Sequence, residues 1–229
     1  MARRRLPQEL IVSVDRLDGD GCGLGTAEAR QVRIRNALAG ETAEVRVLRR
    51  RKGEWLAEAQ QVEVPSPLRR EPACEYFPRC GGCVMQHLDY DAQLALKERG
   101  LLDALAGAGV EARSVQPPTR GPRYHYRTKA RLGVRQVGGR ILVGFRESFS
   151  NRVGRMDHCL TLTESLGRLL APLKALIEGL SAPDRIPQVE VAAGDREQAL
   201  LFRHLDPLTA EDEEAIRRFA SHYGVRCYG

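Results

Sequence analysis

Three cysteines, Cys74, Cys80 and Cys83, fall within ACEYFPRCGGCV at residues 73–84, spaced C-x5-C-x2-C with two glycines between the last pair. Structural zinc modules offer two short-spaced ligand pairs. No second pair follows here, and His87 stands alone. A thioredoxin-type redox motif would use Cys80 and Cys83 and leave Cys74 unexplained. Three near thiols plus one distant thiol is the arithmetic of a cubane iron–sulfur cluster, which takes four thiolates. Gly81 and Gly82 suit a metal loop, where the backbone needs freedom and inorganic sulfide needs room. The expected fourth ligand is Cys159, in RMDHCLTL. Cys22 and Cys227 are read as small buried hydrophobes. Residue types favour iron–sulfur over zinc, with plain structural cysteines as the third reading.

A second constellation is electrostatic. Between Arg120 and Arg155 stand ten Lys and Arg against one acid, Glu147. This local excess of +9 is larger than the chain's net charge of +6. Alternation puts Arg127, Lys129, Arg131 and Arg135 on one strand face, interleaved with Tyr124, Tyr126 and Phe145. Cations beside aromatics hold phosphates and stack unpaired bases. The competing reading is a solvated face whose arginine stems cover apolar surface. The candidate RNA-binding residues are Tyr126, Arg127, Lys129, Arg131, Phe145 and Arg146.

These groups need elements to position them. Runs at 9–17, 31–38, 42–50 and 54–64 are β-branched and alternate apolar with polar, joined by glycine-rich connections such as GDGCGLG at 19–25. They predict a small closed barrel of the OB type over 1–64. Arg3 to Arg5 and Arg49 to Lys52 add charge around it. PSPLRREP (65–72) reads as a linker, so 65–89 is linker plus cysteine loop. An α+β region over 90–229 follows. Its expected elements are a helix at 90–109, a hairpin of 126–136 with 140–147 turning at Val137-Gly138-Gly139, and a helix at 163–180 interrupted at Pro172. A second hairpin of 188–194 with 198–205 comes next, then a capped helix from Thr209 to about Tyr223 and the start of a strand at VRCY. Stopping there, the chain is expected to be truncated.

Composition bounds the rest. The 229 residues are 42% hydrophobic and 29% charged, with a pI near 9.2, which favours acidic partners and nucleic acid first. No run approaches a membrane span, and MARRRLPQELIV lacks the apolar core of a signal peptide, so a cytoplasmic monomer is expected.

The pattern resembles the RNA uracil-C5 methyltransferases, of the type acting on 23S ribosomal RNA. VDRLDGDGCGLG (14–25) and ALAGETAEVRV (37–47) are similar to stretches of that family's TRAM domain. ACEYFPRCGGCVMQHLDYDAQLALKE is similar to its cluster loop and following helix. YRTKARLGV, VGFRESFSNRV with DHC, and LFRHLDPLTAEDEEAI are similar to its central domain. The resemblance implies a 4Fe-4S cluster on Cys74, Cys80, Cys83 and Cys159, an RNA partner, and methylation from S-adenosylmethionine. In the family a C-terminal domain supplies the cofactor site, an attacking cysteine and a base. None of its motifs is present here, so no catalytic or cofactor-binding residue is assigned. The chain is expected to be the RNA-binding and iron–sulfur half of such an enzyme, inactive alone. The competing reading is a stand-alone RNA-binding module with a metal-stapled second domain and no catalysis. A glycine-rich cofactor motif encoded downstream would separate the two.

Overall fold

A computed structural model describes residues 9–229; Arg3 to Arg5 lie outside the described residues. The chain divides into two compact units, Met1–Thr119 and Arg120–Gly229. The sequence reading set its breaks at 64 and 89, whereas the cysteine loop and the following helix group with the barrel.

In the first unit five strands close a barrel: β1 (Glu9–Leu17), β2 (Gly23–Ala27), β3 (Arg30–Arg35), β4 (Thr42–Arg51) and β5 (Glu54–Val64). Their order is β1-β2-β3-β5-β4, with β4 returning to β1. Every pairing is antiparallel except β3 with β5. The period-2 alternation sends Val12, Val14, Ile34, Val45, Trp55 and Ala57 into the core, each under 5% exposed. β2 was expected to be a glycine connection. Its glycines instead let two strands approach: a Cβ on Gly25 would stand 2.3 Å from the Ser13 carbonyl oxygen. The barrel is thus an OB-type barrel of five strands.

The segment after β5 is no free linker. Arg69 reaches back to the fully buried Glu41 carboxylate, with Nε and Nη2 each at 2.7 Å. Glu41 also accepts from the Ser66 and Leu38 amides. Four donors compensate the burial of one charge. Helix α1 (Tyr90–Gly107) starts at Asp89, whose side chain accepts from the Asp91 and Ala92 amides. Its leucines predict a buried stripe, yet no residue of α1 is buried, and Leu101 is 61% exposed.

The second unit is a five-stranded sheet of β6 (Lys129–Val137), β7 (Arg140–Gly144), β8 (Gln188–Ala193), β9 (Gln198–Arg203) and β10 (Arg226–Tyr228), in the order β10-β9-β8-β6-β7. Val137 pairs Arg140, leaving Gly138-Gly139 as a two-residue turn with both φ positive, the type I′ geometry that suits a hairpin. One sheet face buries Leu132, Val134, Val143, Val189, Leu200 and Phe202. The helices of this unit are α2 (Glu164–Arg168), α3 (Leu170–Glu178) and α4 (Ala210–Tyr223). The expected long helix breaks at Leu169, and Pro172 sits in the first turn of α3, where its missing N–H is harmless. α4 carries the expected capping box, Thr209 with Asp212, and ends at Gly224 in the left-handed conformation. β10 pairs parallel to β9 after the α4 crossover.

Candidate metal and nucleic-acid sites

The cysteine loop runs between two anchors on the barrel side of its own unit. Arg69 bridges Leu88, the Arg70 amide donates to the His87 carbonyl at 2.9 Å, and the Asp89 amide donates to the Leu68 carbonyl at 2.8 Å. These close the loop at its base. Above them, tight turns shape the thiol segment: Phe77 N–H donates to the Cys74 carbonyl at 3.1 Å and Cys80 N–H to the Tyr76 carbonyl at 2.8 Å. The Arg35 guanidinium, ion-paired with Glu58 at 2.8 Å, also donates to the Arg79 carbonyl, which lies between Cys74 and Cys80.

His87, expected to stand apart from the chemistry, is fully buried beneath this loop. Its ring packs on Phe77 with centroids 5.2 Å apart. Its nitrogens make no well-aligned hydrogen bond. Burial and then the Arg69 charge hold its pKa down at about 4, outweighing the Ala37 backbone and the Glu41 carboxylate, which favour the proton. The neutral imidazole packs against Phe77.

The six cysteines form no disulfide. Cys74 and Cys80 are buried at 9% and 8% exposure, and Cys83 is half-buried. Gly82 N–H points at Cys80 Sγ, 3.4 Å away. An amide aimed at sulfur stabilises a thiolate, so by donor chemistry the loop fits an iron–sulfur group. Among the described residues, however, no three His, Cys, Asp or Glu side chains are gathered so as to hold a metal ion. Cys159 belongs to the second unit, 7% exposed, with Sγ 3.3 Å from Thr161 Oγ1. Its segment is fixed by backbone bonds: His125 N–H to the Leu160 carbonyl and Arg127 N–H to the Thr161 carbonyl, each 2.8 Å. Cys22 is buried, and that burial, with Asp18 adding to it, raises its pKa. Burial likewise pushes the Cys227 thiol up to about 11. In both, burial favours the protonated thiol.

The cationic hairpin divides into two parts. Lys129, Arg131 and Arg135 stand exposed on one face of β6, and Arg131 Nε lies 3.3 Å from Glu190 of β8. Arg127, expected on the same strand face, precedes β6. It forms a parallel bridge with Leu162, and its guanidinium lies over the Phe145 ring, 5.4 Å from the centroid. Tyr126 is 51% exposed. Arg146 is exposed and donates to the Asn151 carbonyl at 3.1 Å. The structure thus brings Arg127 and Phe145 together, and separates them in kind from the strand cations.

On the barrel, an open cleft of about 380 Å³ is lined by Arg16, Asp18, Asp20, Arg33 and Glu54 among others. Arg33 is already engaged by Asp18 at 2.7 Å and Asp20 at 2.5 Å, so the cleft offers a phosphate little positive charge. Arg49 to Lys52 lie around the β4–β5 turn with Arg50 to Lys52 exposed, as a solubilising surface run would be. Sequence reasoning missed Glu41, whose partner is far along the chain; only its place after the Gly40 turn marked it.

No protein-family model matches the chain. Relatives do. The chain is 42% identical over 230 residues to a Hahella chejuensis protein named 23S rRNA (uracil(1939)-C(5))-methyltransferase RlmD, covering 99% of this chain and 52% of that one. The family resemblance read from the residues holds. A Bordetella pertussis protein of the same name is 41% identical over 219 residues, covering 94% of this chain and 47% of its own length. The chain spans about half the length of the curated relatives it matches. Among solved structures, a Pyrococcus abyssi tRNA (uracil-54, C5)-methyltransferase in complex with S-adenosyl-L-homocysteine superposes with a TM-score of 0.61 at 23% identity, over 90% of this chain and 48% of that one. That likeness bears on the fold. Among the described residues no helix is long and apolar enough to cross a membrane.

Proposed function

We propose that this chain is the RNA-binding and iron–sulfur portion of an S-adenosylmethionine-dependent 23S rRNA uracil-C5 methyltransferase. The observation that carries the reading is the 42% identity to a protein of that name across 99% of the chain. The barrel, with its TRAM-like stretches, and the second unit's sheet present RNA to a catalytic centre contributed by other parts of such an enzyme. No residue here is assigned to methyl transfer.

Cys74, Cys80, Cys83 and Cys159 would hold a 4Fe-4S cluster, which when bound supplies four iron–thiolate bonds as a staple. Its role is structural, because methyl transfer from S-adenosylmethionine needs no external electron. Gly82 N–H, aimed at Cys80 Sγ, favours the thiolate at that position. Arg35 holds the loop at Arg79, and Arg69 holds its base at Glu41. Lys129, Arg131, Arg127 and Arg146 engage phosphates, while Tyr126 and Phe145 offer rings to unpaired bases.

Anaerobic purification with iron, acid-labile sulfide and zinc assays tests the metal reading. About four irons and four sulfides per chain, lost in Cys159→Ser, are expected. One zinc without sulfide would overturn it.

A further inference from the structure

Among the described residues, the buried polar side chains of the second unit are Thr161 and Asp212. Asp212 has an evident task at the start of α4, where it accepts from Ser181 and from the Thr209 amide. Thr161 is 4% exposed, and its hydroxyl oxygen lies 3.3 Å from Cys159 Sγ. Valine would fill the same volume without burying a hydroxyl. A buried hydroxyl costs stability unless it is bonded, and a neutral thiol is a weak partner for it. A thiolate is a strong partner: it carries the charge and has no proton, so the hydroxyl donates.

The backbone fixes this pair of side chains on both sides. The Leu160 and Thr161 carbonyls accept from the His125 and Arg127 amides, and Thr163 N–H returns to the Arg127 carbonyl at 2.9 Å. α2 closes in from the other side: a Cβ on Gly167 would stand 2.4 Å from the Cys159 carbonyl oxygen. Gly167 N–H also donates to the Thr163 carbonyl at 2.8 Å. Sulfur and hydroxyl therefore meet within one clamped segment of the second unit. Thr163 is the contrast, because its hydroxyl is buried yet makes no hydrogen bond among the described residues.

We infer that Thr161 is a positioning residue for the metal centre, its hydroxyl donating to the Cys159 thiolate when that sulfur ligates the cluster. The inference rests on the iron–sulfur reading above and adds to it a residue outside the ligand set. A hydrogen bond to a ligating sulfur orients it, withdraws part of its charge, slows loss of the metal and raises the reduction potential. Gly82 N–H stands in the same relation to Cys80 in the first unit. Each unit thus supplies one donor to one of its own thiols.

Iron release to a chelator, followed by visible absorbance on the anaerobically loaded 229-residue chain, tests this. Thr161→Val should speed release about tenfold or more, the range for a lost partner of a metal ligand. In a titration with dithionite as electron donor, its midpoint potential should move to more negative values. Thr163→Val should change neither. Thr161→Ser and Thr161→Ala differ only in the hydroxyl, so they carry the comparison even where valine disturbs the fold: serine should hold iron and alanine should lose it faster. If the chain loads iron and sulfide but Thr161→Val matches the wild type in rate and midpoint, the inference fails and the iron–sulfur reading stands. If serine and alanine release iron equally fast, packing of the methyl group is what counts, and the inference fails again. A wild-type chain that takes zinc, or no iron and sulfide, sinks both.

Discussion

Glu41 and His87 carry the largest single-residue stakes in the first unit. Burial alone would raise the Glu41 carboxyl; the Arg69 guanidinium and the Ser66 and Leu38 amides outweigh it and hold its pKa below the ordinary value. Removing the charge strands Arg69 over a fully buried position, and Glu41→Gln is expected to cost about 3 kcal/mol in urea unfolding, with the cysteine loop loosening first by hydrogen exchange. Because the folded pKa is depressed, this contribution is present above the ordinary carboxylate range and is lost on acidification through it. His87 acts in the same direction by a different route. Folded, it stays neutral down to about pH 4; unfolded, it binds a proton near 6.5. Between those values the unfolded chain holds more protons, so stability should fall as pH drops from 6.5 to 4, by about 3 kcal/mol in all. His87→Leu should flatten that slope of melting temperature against pH. Neither residue was legible as a partner in the sequence, because each depends on contacts with residues far away in the chain. The shared exposed face of Lys129, Arg131 and Arg135 was legible because alternation along one strand is a local signal.

Elements differ in how openly they announce themselves. β1 and β5 occupy the expected residues because their β-branched, alternating centres are unmistakable, although Trp55, Leu56 and Ala57 of β5 are all buried. β2 hid behind glycines that are usually loop markers, since close approach to β1 demands residues without a Cβ. Gly25→Ala should therefore destabilise the barrel by about 2 kcal/mol or more in thermal unfolding, although Gly25 has no unusual φ. The expected helix around Pro172 is two helices, because a proline is comfortable in a first turn and disruptive in a fourth. α1 shows the opposite failure: its leucine spacing predicts burial that the described residues do not supply. α4 was readable through its cap. Its Asp212 also accepts from the Ser181 amide at 2.8 Å and the Ser181 hydroxyl at 2.5 Å, so Thr209→Ala should cost about 1 kcal/mol and Asp212→Ala more.

At the scale of the whole chain the prediction is ionic. If the cationic sheet meets phosphates, RNA affinity must fall steeply with salt, and Lys129→Ala or Arg135→Ala should each reduce the slope of log affinity against log salt by about one. Arg131 should contribute less, because Glu190 already partners it. A slope unchanged in all three would remove the sheet from the interface. The Arg69–Glu41 contact also makes the loop and the barrel share one stability. Glu41 sits just ahead of β4 and is fully buried. Arg69 ties the base of the cysteine loop to it. The loop therefore borrows its rigidity from the barrel, and a core substitution such as Val45→Ala should raise hydrogen exchange in the loop as well as in the strands.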